Sequence, residues 1–451
     1  MINMIYLLLV LYIAGFGWWL RSIDSPNILG LPRTFIFFIF ISKIIVGLIY
    51  GLIHHTYFQG GDTFIYLQES TRIGSTFLSY PSYYINSIFG GNPPIPDTAV
   101  FIYPSSVFFW KDLGTYTLVH VHAILYPFTL GHYELHIFFI ALIGLFASLN
   151  FYKVFGQILE LPKWVLIVCC FFLPSLSFWT AGLHKDAYVY FGLSLFLVGL
   201  LELQQPTPSR KTFFKLGTAL LIIGFSRHYL LALLLPAIIA YLITLNYTRR
   251  IGLTYLVVYS CSIGLAILFT KSIFGVELFE ILSSKQAAFL AEIGGSSIQN
   301  AEPFAPTIWG VISMIPMALI NVLGRPFLWE CKDFLQVLAS LEILSFLGLI
   351  LCSLSMKKKH IKPPNVLIHF IIAYAISNLF LVGLLVSNIG TIARYRAIAL
   401  GILSALLMHI LDFYQLSLKH KPSNTPSYQP RTDPKTISPP LPKTKQNQSL
   451  H

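Results

Sequence analysis

Short polar clusters between long apolar runs hold the residues able to do chemistry. The first, Gly60-Gly61-Asp62-Thr63-Phe64-Ile65-Tyr66, directly follows an apolar run. Two glycines let a backbone turn sharply. An Asp at the edge of an apolar medium can be kept basic enough to take a proton from a hydroxyl. A cap on a helix starting at Thr63 is an equal alternative. Farther on, Pro93-Pro94-Ile95-Pro96-Asp97 reads as a rigid turn, with Asp97 a turn residue rather than a ligand.

The second cluster, Phe178-Trp179-Thr180-Ala181-Gly182-Leu183-His184-Lys185-Asp186, joins two apolar runs. Adjacent ionisable groups there are costly unless solvated, paired or used. Lys185 could meet a lipid phosphate, and Asp186 could pair with it or face an acceptor. A weak surface pair with a helix cap is the competing reading. Arg227-His228 lies deep in the apolar stretch 213–246. It must face a protein interior or an interface, either paired to a carboxylate or binding an anion. In the third cluster, Leu323-Gly324-Arg325-Pro326-Phe327-Leu328-Trp329-Glu330, the proline stops a helix and the aromatics suit a membrane interface. Arg325 and Glu330 read as a loop-anchoring pair, and Glu342 in the next run as a partner to a neighbouring helix. The last cluster, Asn388-Ile389-Gly390-Thr391-Ile392-Ala393-Arg394-Tyr395-Arg396, carries two guanidinium groups suited to phosphate. On a helix Arg394 and Arg396 point about 200° apart, so one holds an anion while the other anchors the helix.

These residues need elements to position them, and the composition says which. Of 451 residues, 55% are hydrophobic and 11% charged, with a net charge of +12. Soluble domains carry about 25% charged residues. An ordinary soluble enzyme, a disordered chain and a disulfide scaffold are excluded. Nucleic acid is not an expected partner, because the basic residues sit between apolar runs and report membrane orientation. The five cysteines show no metal-binding spacing.

Crossing a bilayer takes about 20 apolar residues. The runs 2–20, 34–53, 134–152, 164–181, 186–203, 213–226, 229–246, 251–270, 334–354, 365–387 and 397–416 qualify, the sixth being short. The stretches 115–131 and 309–323 are left as helices along the outer face or re-entrant. Tyr116, His120, His122 and Tyr126 punctuate the first of them, as suits an interface. With that choice 19 of the 30 Lys and Arg fall on the inner side, as the positive-inside rule requires. The predicted fold is an all-α, polytopic transmembrane bundle of about 11 spans, with membrane-parallel helices in long outer loops at 54–133 and 271–333. The N-terminus is outside and the C-terminus cytoplasmic. Residues 1–33 form an extra span with its inner loop, 34–416 the core, and 417–451 a disordered basic tail. No inverted repeat of transporter type is evident.

A GGDxxxY start to a long outer loop, then PSxxFWxxGxHKD, RPFxWE and a final RYR, resembles bacterial GT-C-type integral-membrane glycosyltransferases. The mannosyltransferase-like and aminoarabinose-transferase-like members are nearest in pattern, and the likeness spans about 34–416. It implies an essential Asp in the first outer loop, matched by Asp62, and a second acidic residue, matched by Asp186. It implies a polyprenyl-phosphate sugar donor whose phosphate is held by basic residues. Lys185, Arg227, Arg394 and Arg396 match by position, with His184, His228 and Arg325 beside them. Tyr66, Glu330 and Tyr395 are the candidate acceptor and sugar contacts. Members often carry Asp-Glu where this chain has Asp62-Thr63, and often a soluble outer domain.

The expected activity is inverting transfer of a sugar to an acceptor hydroxyl on a glycan, lipid or protein, at the outer face of a bacterial inner membrane. The lipid bilayer is the expected surround. No cofactor is expected; a divalent metal at Asp62 and Asp186 is compatible with the sequence but not required by it. Competing readings are an envelope glycan polymerase or ligase, a lipid or glycan transporter, and a non-catalytic membrane subunit.

Overall fold

The computed structural model describes residues 2–89, 112–247, 250–291, 302–355 and 365–411. The Pro93–Asp97 turn and the 417–451 tail lie outside the described residues. The architecture is all-α. One two-residue hairpin, β1 (Asn27–Ile28) against β2 (Leu31–Pro32), links α1 (Ile2–Ser22) to α2 (Arg33–Thr56). Then come α3 (Gly61–Gly74), α4 (Thr76–Ser79), α5 (Pro81–Phe89), α6 (Leu113–Ile124) and α7 (Tyr126–Thr129). The long helices are α8 (Tyr133–Ile158), α11 (Lys185–Leu203), α12 (Arg210–Arg227), α13 (Tyr229–Asn246) and α14 (Ile251–Phe274). Short α9 (Lys163–Ile167) and α10 (Pro174–Trp179) lie between α8 and α11. After α14 follow α15 (Leu278–Ala291), α16 (Ile308–Leu323), α17 (Phe334–Ser355), α18 (Val366–Leu385) and α19 (Ile389–Ile410).

Among the described residues nine helices are long and apolar enough to cross a membrane: α1, α2, α8, α11, α13, α14, α17, α18 and α19. Packing separates central from peripheral ones. In α8 and α11, 72% of the apolar window is buried, against 6% in α14. Leu253, Leu256, Leu265 and Leu268 of α14 are exposed, as are Trp18 and Leu351 elsewhere. A water-facing surface does not carry apolar area on this scale, so the surround is lipid and the protein is a multi-pass membrane protein. Leu9, Phe16 and Leu20 of α1 join the main core with α2 and α8, so the N-terminal span packs on the bundle.

Two of the eleven expected spans differ. The run 164–181 is not one helix: α9 continues through a π-helical turn, Val168–Phe172, and the chain then restarts at Pro174. A proline inside a helix removes a hydrogen bond and clashes with the preceding turn. The run 213–226 does form a helix, α12, of 18 residues. Arg210, Lys211, Lys215 and Arg227 at its ends make it more charged than the other nine. The two leftover stretches are short helices: α6 with 12 residues and α16 with 16. At 1.5 Å per residue these rise about 18 and 24 Å, less than a hydrocarbon core of about 30 Å.

Alternation of the long helices brings the end of α2, the start of α11, the end of α12 and the start of α19 to one end of the bundle. The clusters at residues 62, 186, 227 and 394 occupy those ends.

Candidate functional site

The chain leaves α2 through a backbone that favours glycine. Gln59, Gly60 and Gly61 have φ of 52°, 116° and 62°, in the left-handed region that glycine enters at low cost. The Gly60 N–H donates to the His54 carbonyl at 2.8 Å. α3 starts at Gly61, so Asp62 sits in its first turn and does not cap a helix at Thr63. A carboxylate is stable there against the positive helix end. Asp62 and Tyr66, four residues apart, share a face of α3.

Asp186 is the centre of the site. Arg227 Nη2 donates to its Oδ1 at 2.6 Å, and Arg394 Nε to its Oδ2 at 2.7 Å. The Asp186 side chain is only 5% exposed. Both carboxylate oxygens are therefore occupied by arginine, so Asp186 neither pairs with Lys185 nor turns a free oxygen to an acceptor, the two readings its sequence position offered. Charge-assisted bonds of this length are among the stronger polar contacts. Arg394 also reaches toward Asp62, with Nη1 at 3.9 Å from Oδ2. The Asp62 side chain is 57% exposed, so it forms the open rim of a buried Arg–Asp–Arg unit. Arg227 further donates to the Tyr229 hydroxyl at 3.0 Å and lies 3.9 Å over the Tyr395 ring. That ring face is thereby used by a cation instead of being presented to a sugar.

Lys185 does not pair with Asp186. Its ammonium bonds Asp112, at the cap of α6. Asp112 also accepts from the Gly114 N–H and the Thr115 hydroxyl. Burial alone would raise the Asp112 carboxyl, but Lys185, Thr115 and Gly114 outweigh it and hold the group below its ordinary value. A carboxylate held low in the fold adds stability above its unfolded value and loses it on acidification. The Asp112–Lys185 tie is therefore complete above pH 3.8, the ordinary value, and fades as pH falls below it. The stability difference between wild type and Asp112→Asn should shrink along that acid limb in unfolding curves. A difference independent of pH would contradict the assignment.

His184 is 1% exposed. Burial first, then Arg394, depress its pKa well below the histidine value. It is neutral at pH 7, so it could meet a phosphate only by a hydrogen bond, not by charge. Tyr66 is buried against the His184 ring edge, and its hydroxyl lies beside Thr115. Burial and the nearby Asp62 raise its pKa, keeping it protonated. His228 is exposed at the turn between α12 and α13.

Arg325, Glu330 and Arg396 form a second group with an anchoring role. Arg325 Nε lies 3.2 Å from Glu330 Oε1, and Glu330 accepts the Phe327 N–H at 3.2 Å. Arg396 is 3% exposed and donates to the carbonyls of Val322, at 2.9 Å, and Arg325. Because α19 is a continuous helix, Arg394 and Arg396 face apart as their spacing predicts. Arg325, Glu330 and Arg396 are thus occupied in fixing the end of α16 to α19, as the anchoring reading of the Arg325–Glu330 pair and of one of the two arginines has it, and are not turned toward a phosphate or sugar. Glu342 accepts from the Ser175 backbone N–H and hydroxyl, tying α17 to α10.

Sequence reading did not single out Asp112, Tyr229 or His54. An Asp before Leu113 with Thr115 three positions on is a cap signature that would have found Asp112. His54 is 9% exposed, and neither ring nitrogen has a hydrogen-bond partner among the described residues. It lies between Tyr50 and Phe58, with the His184 ring 6.1 Å away. No group of three or more His, Cys, Asp or Glu able to hold a metal occurs among the described residues.

The approach of α6 is set by Gly114. A β-carbon there would lie 2.2 Å from the Ser226 backbone oxygen and 3.3 Å from the Lys185 side chain. Gly114→Ala should therefore push α6 off α12, at about 1–3 kcal/mol for overpacking. Thermal unfolding in detergent would report it, and an unchanged midpoint would contradict the close approach.

No protein-family model, curated protein or solved structure matches the chain.

Proposed function

We propose that this protein is a membrane glycosyltransferase that moves a sugar from a polyprenyl-phosphate donor to an acceptor hydroxyl at the outer face, with inversion. The observation that carries the reading is the meeting of four residues far apart in sequence. Asp186 is clasped by Arg227 and Arg394, and Arg394 in turn approaches the exposed Asp62. In the reaction the acceptor oxygen bonds the anomeric carbon while the bond from that carbon to the phosphate oxygen breaks. Asp62 takes the hydroxyl proton, and polyprenyl phosphate leaves with the electron pair. The donor needs positive charge where negative charge develops, and the Arg–Asp–Arg unit carries one net positive charge beside Asp62. Lys185, beside Asp186 in the first turn of α11, is a further cation whose charge Asp112 meets in the resting protein. Asp186 acts as a positioning residue: it fixes both guanidinium groups before substrate arrives.

A polymerase or ligase would differ only in its acceptor. A carrier needs cations that can follow a moving anion, whereas Asp186 holds both arginines here. The test is purified protein in vesicles, given a polyprenyl-phosphate sugar labelled in the sugar, with glycan, lipid and protein acceptors. Label appearing on an acceptor, with polyprenyl phosphate released, is the expected result. Label that stays on the lipid across the panel would overturn the reading.

A further inference from the structure

A cavity of about 340 Å³ opens between α6, α8 and α11. Its volume falls in the range of small-molecule pockets, about 300–1,000 Å³. Ile124, Phe139, Ile143, Phe146 and Phe191 line it, and its wall is apolar throughout. Ile124 and Phe146 are exposed at its rim, so it opens sideways along two membrane-crossing helices. Val121 and Tyr188 line this cavity and also a smaller one of about 20 Å³. The smaller cavity is bounded by Gly114, Thr117, Lys185 and Ser226. The lipid-facing groove and the small cavity beside Lys185 therefore adjoin across Val121 and Tyr188.

An apolar groove with a cation in the adjoining cavity complements a chain lipid with an anionic head. The cation already holds an anion of the right kind. The Asp112 carboxylate sits on Lys185, and its side chain is 40% exposed against 13% for the lysine. Such a half-exposed partner exchanges more readily than the buried Asp186. Tyr66 lies beside Thr115, which donates to Asp112, so this seat adjoins the helix face that carries Asp62.

We propose that a polyprenyl phosphate lays its isoprenoid chain in this groove and sets its phosphate on Lys185, displacing the Asp112 carboxylate that otherwise holds that cation. The inference rests on the donor chemistry proposed above, and adds where the chain lies and which group of the protein competes with the phosphate. No bond is made or broken; one anion replaces another.

The test measures binding of sugar-free polyprenyl phosphate to the full chain by native mass spectrometry, so it does not depend on turnover. Removing the competitor with Asp112→Asn should tighten binding several-fold. Lys185→Gln should weaken it about tenfold, as expected for loss of one charge-assisted contact worth about 1.5 kcal/mol. Ile143→Trp, which fills the groove, should weaken it without touching the polar end. Phosphatidylglycerol and inorganic phosphate should compete poorly. Unchanged or weaker binding by a folded Asp112→Asn protein would overturn the exchange. Unchanged binding by Ile143→Trp would overturn the groove, and so would equal competition by phosphatidylglycerol. Sugar transfer that persists while these variants bind normally would sink this inference alone. Binding as expected with no transfer to any acceptor would sink the transferase reading alone.

Discussion

Asp62→Asn is expected to lower sugar transfer by about 10²–10⁴-fold, the usual contribution of a positioned general base, while the protein folds as before. The side chain is 57% exposed and its one ion contact among the described residues, to Arg394, spans 3.9 Å. Substitutions at such sites usually change stability by no more than about 0.5 kcal/mol. Asparagine keeps the size and loses the proton acceptor, so the loss should appear in kcat more than in KM. Labelled-sugar transfer in vesicles, with thermal unfolding of the same preparations, separates the two effects. Transfer at the wild-type rate would remove Asp62 from the mechanism. Loss of transfer together with a large drop in the unfolding midpoint would assign it a structural role instead.

Asp186→Ala is expected to be the most destabilising polar substitution at the site. It leaves two guanidinium groups, 7% and 14% exposed, facing each other without their shared carboxylate. Breaking a buried pair by removing one partner costs about 3–5 kcal/mol. Adding Arg227→Met should recover part of that loss, because one uncompensated charge goes too, and the double variant should show non-additivity. Unfolding of the single and double variants in detergent gives the coupling. A loss below about 1 kcal/mol for Asp186→Ala would mean that the carboxylate is not shared between buried arginines. If Asp186 positions rather than reacts, its milder variant Asp186→Glu should retain measurable transfer where Asp62→Asn does not.

Much of the scaffold was legible because a bilayer enforces simple patterns. Apolar runs of about 20 residues appear as helices, and α14 shows its apolar side chains outward, as lipid permits. The scarcity of charge also pointed to the site. Residues 62, 186, 227 and 394 were costly where they stood, and the structure brings them together. The pairing was less legible. Lys185 has Asp186 beside it in sequence, yet its partner is Asp112, 73 residues away. Adjacent residues on a helix diverge by about 100°, so Lys185 and Asp186 address different neighbours, and only the packing of α6 against α12 decides which. The protonation of His184 was not legible either, because burial near Arg394, which makes it neutral, depends on the packing. The break at Pro174 was visible as a proline, while its effect on the 164–181 run depended on where α9 ended. Arg394 and Arg396 were separable in advance because helix geometry alone sends them to opposite faces.

The central claim is that the Asp62, Asp186, Arg227 and Arg394 group handles a lipid-linked sugar phosphate. Its most direct test is a cryo-electron microscopy structure of the protein with a polyprenyl-phosphate sugar analogue that cannot transfer. The account predicts the phosphate between Lys185 and Arg394, with the anomeric carbon turned toward the Asp62 carboxylate. A phosphate seated away from all of these residues, or a sugar with its anomeric carbon beyond the reach of Asp62, would contradict it.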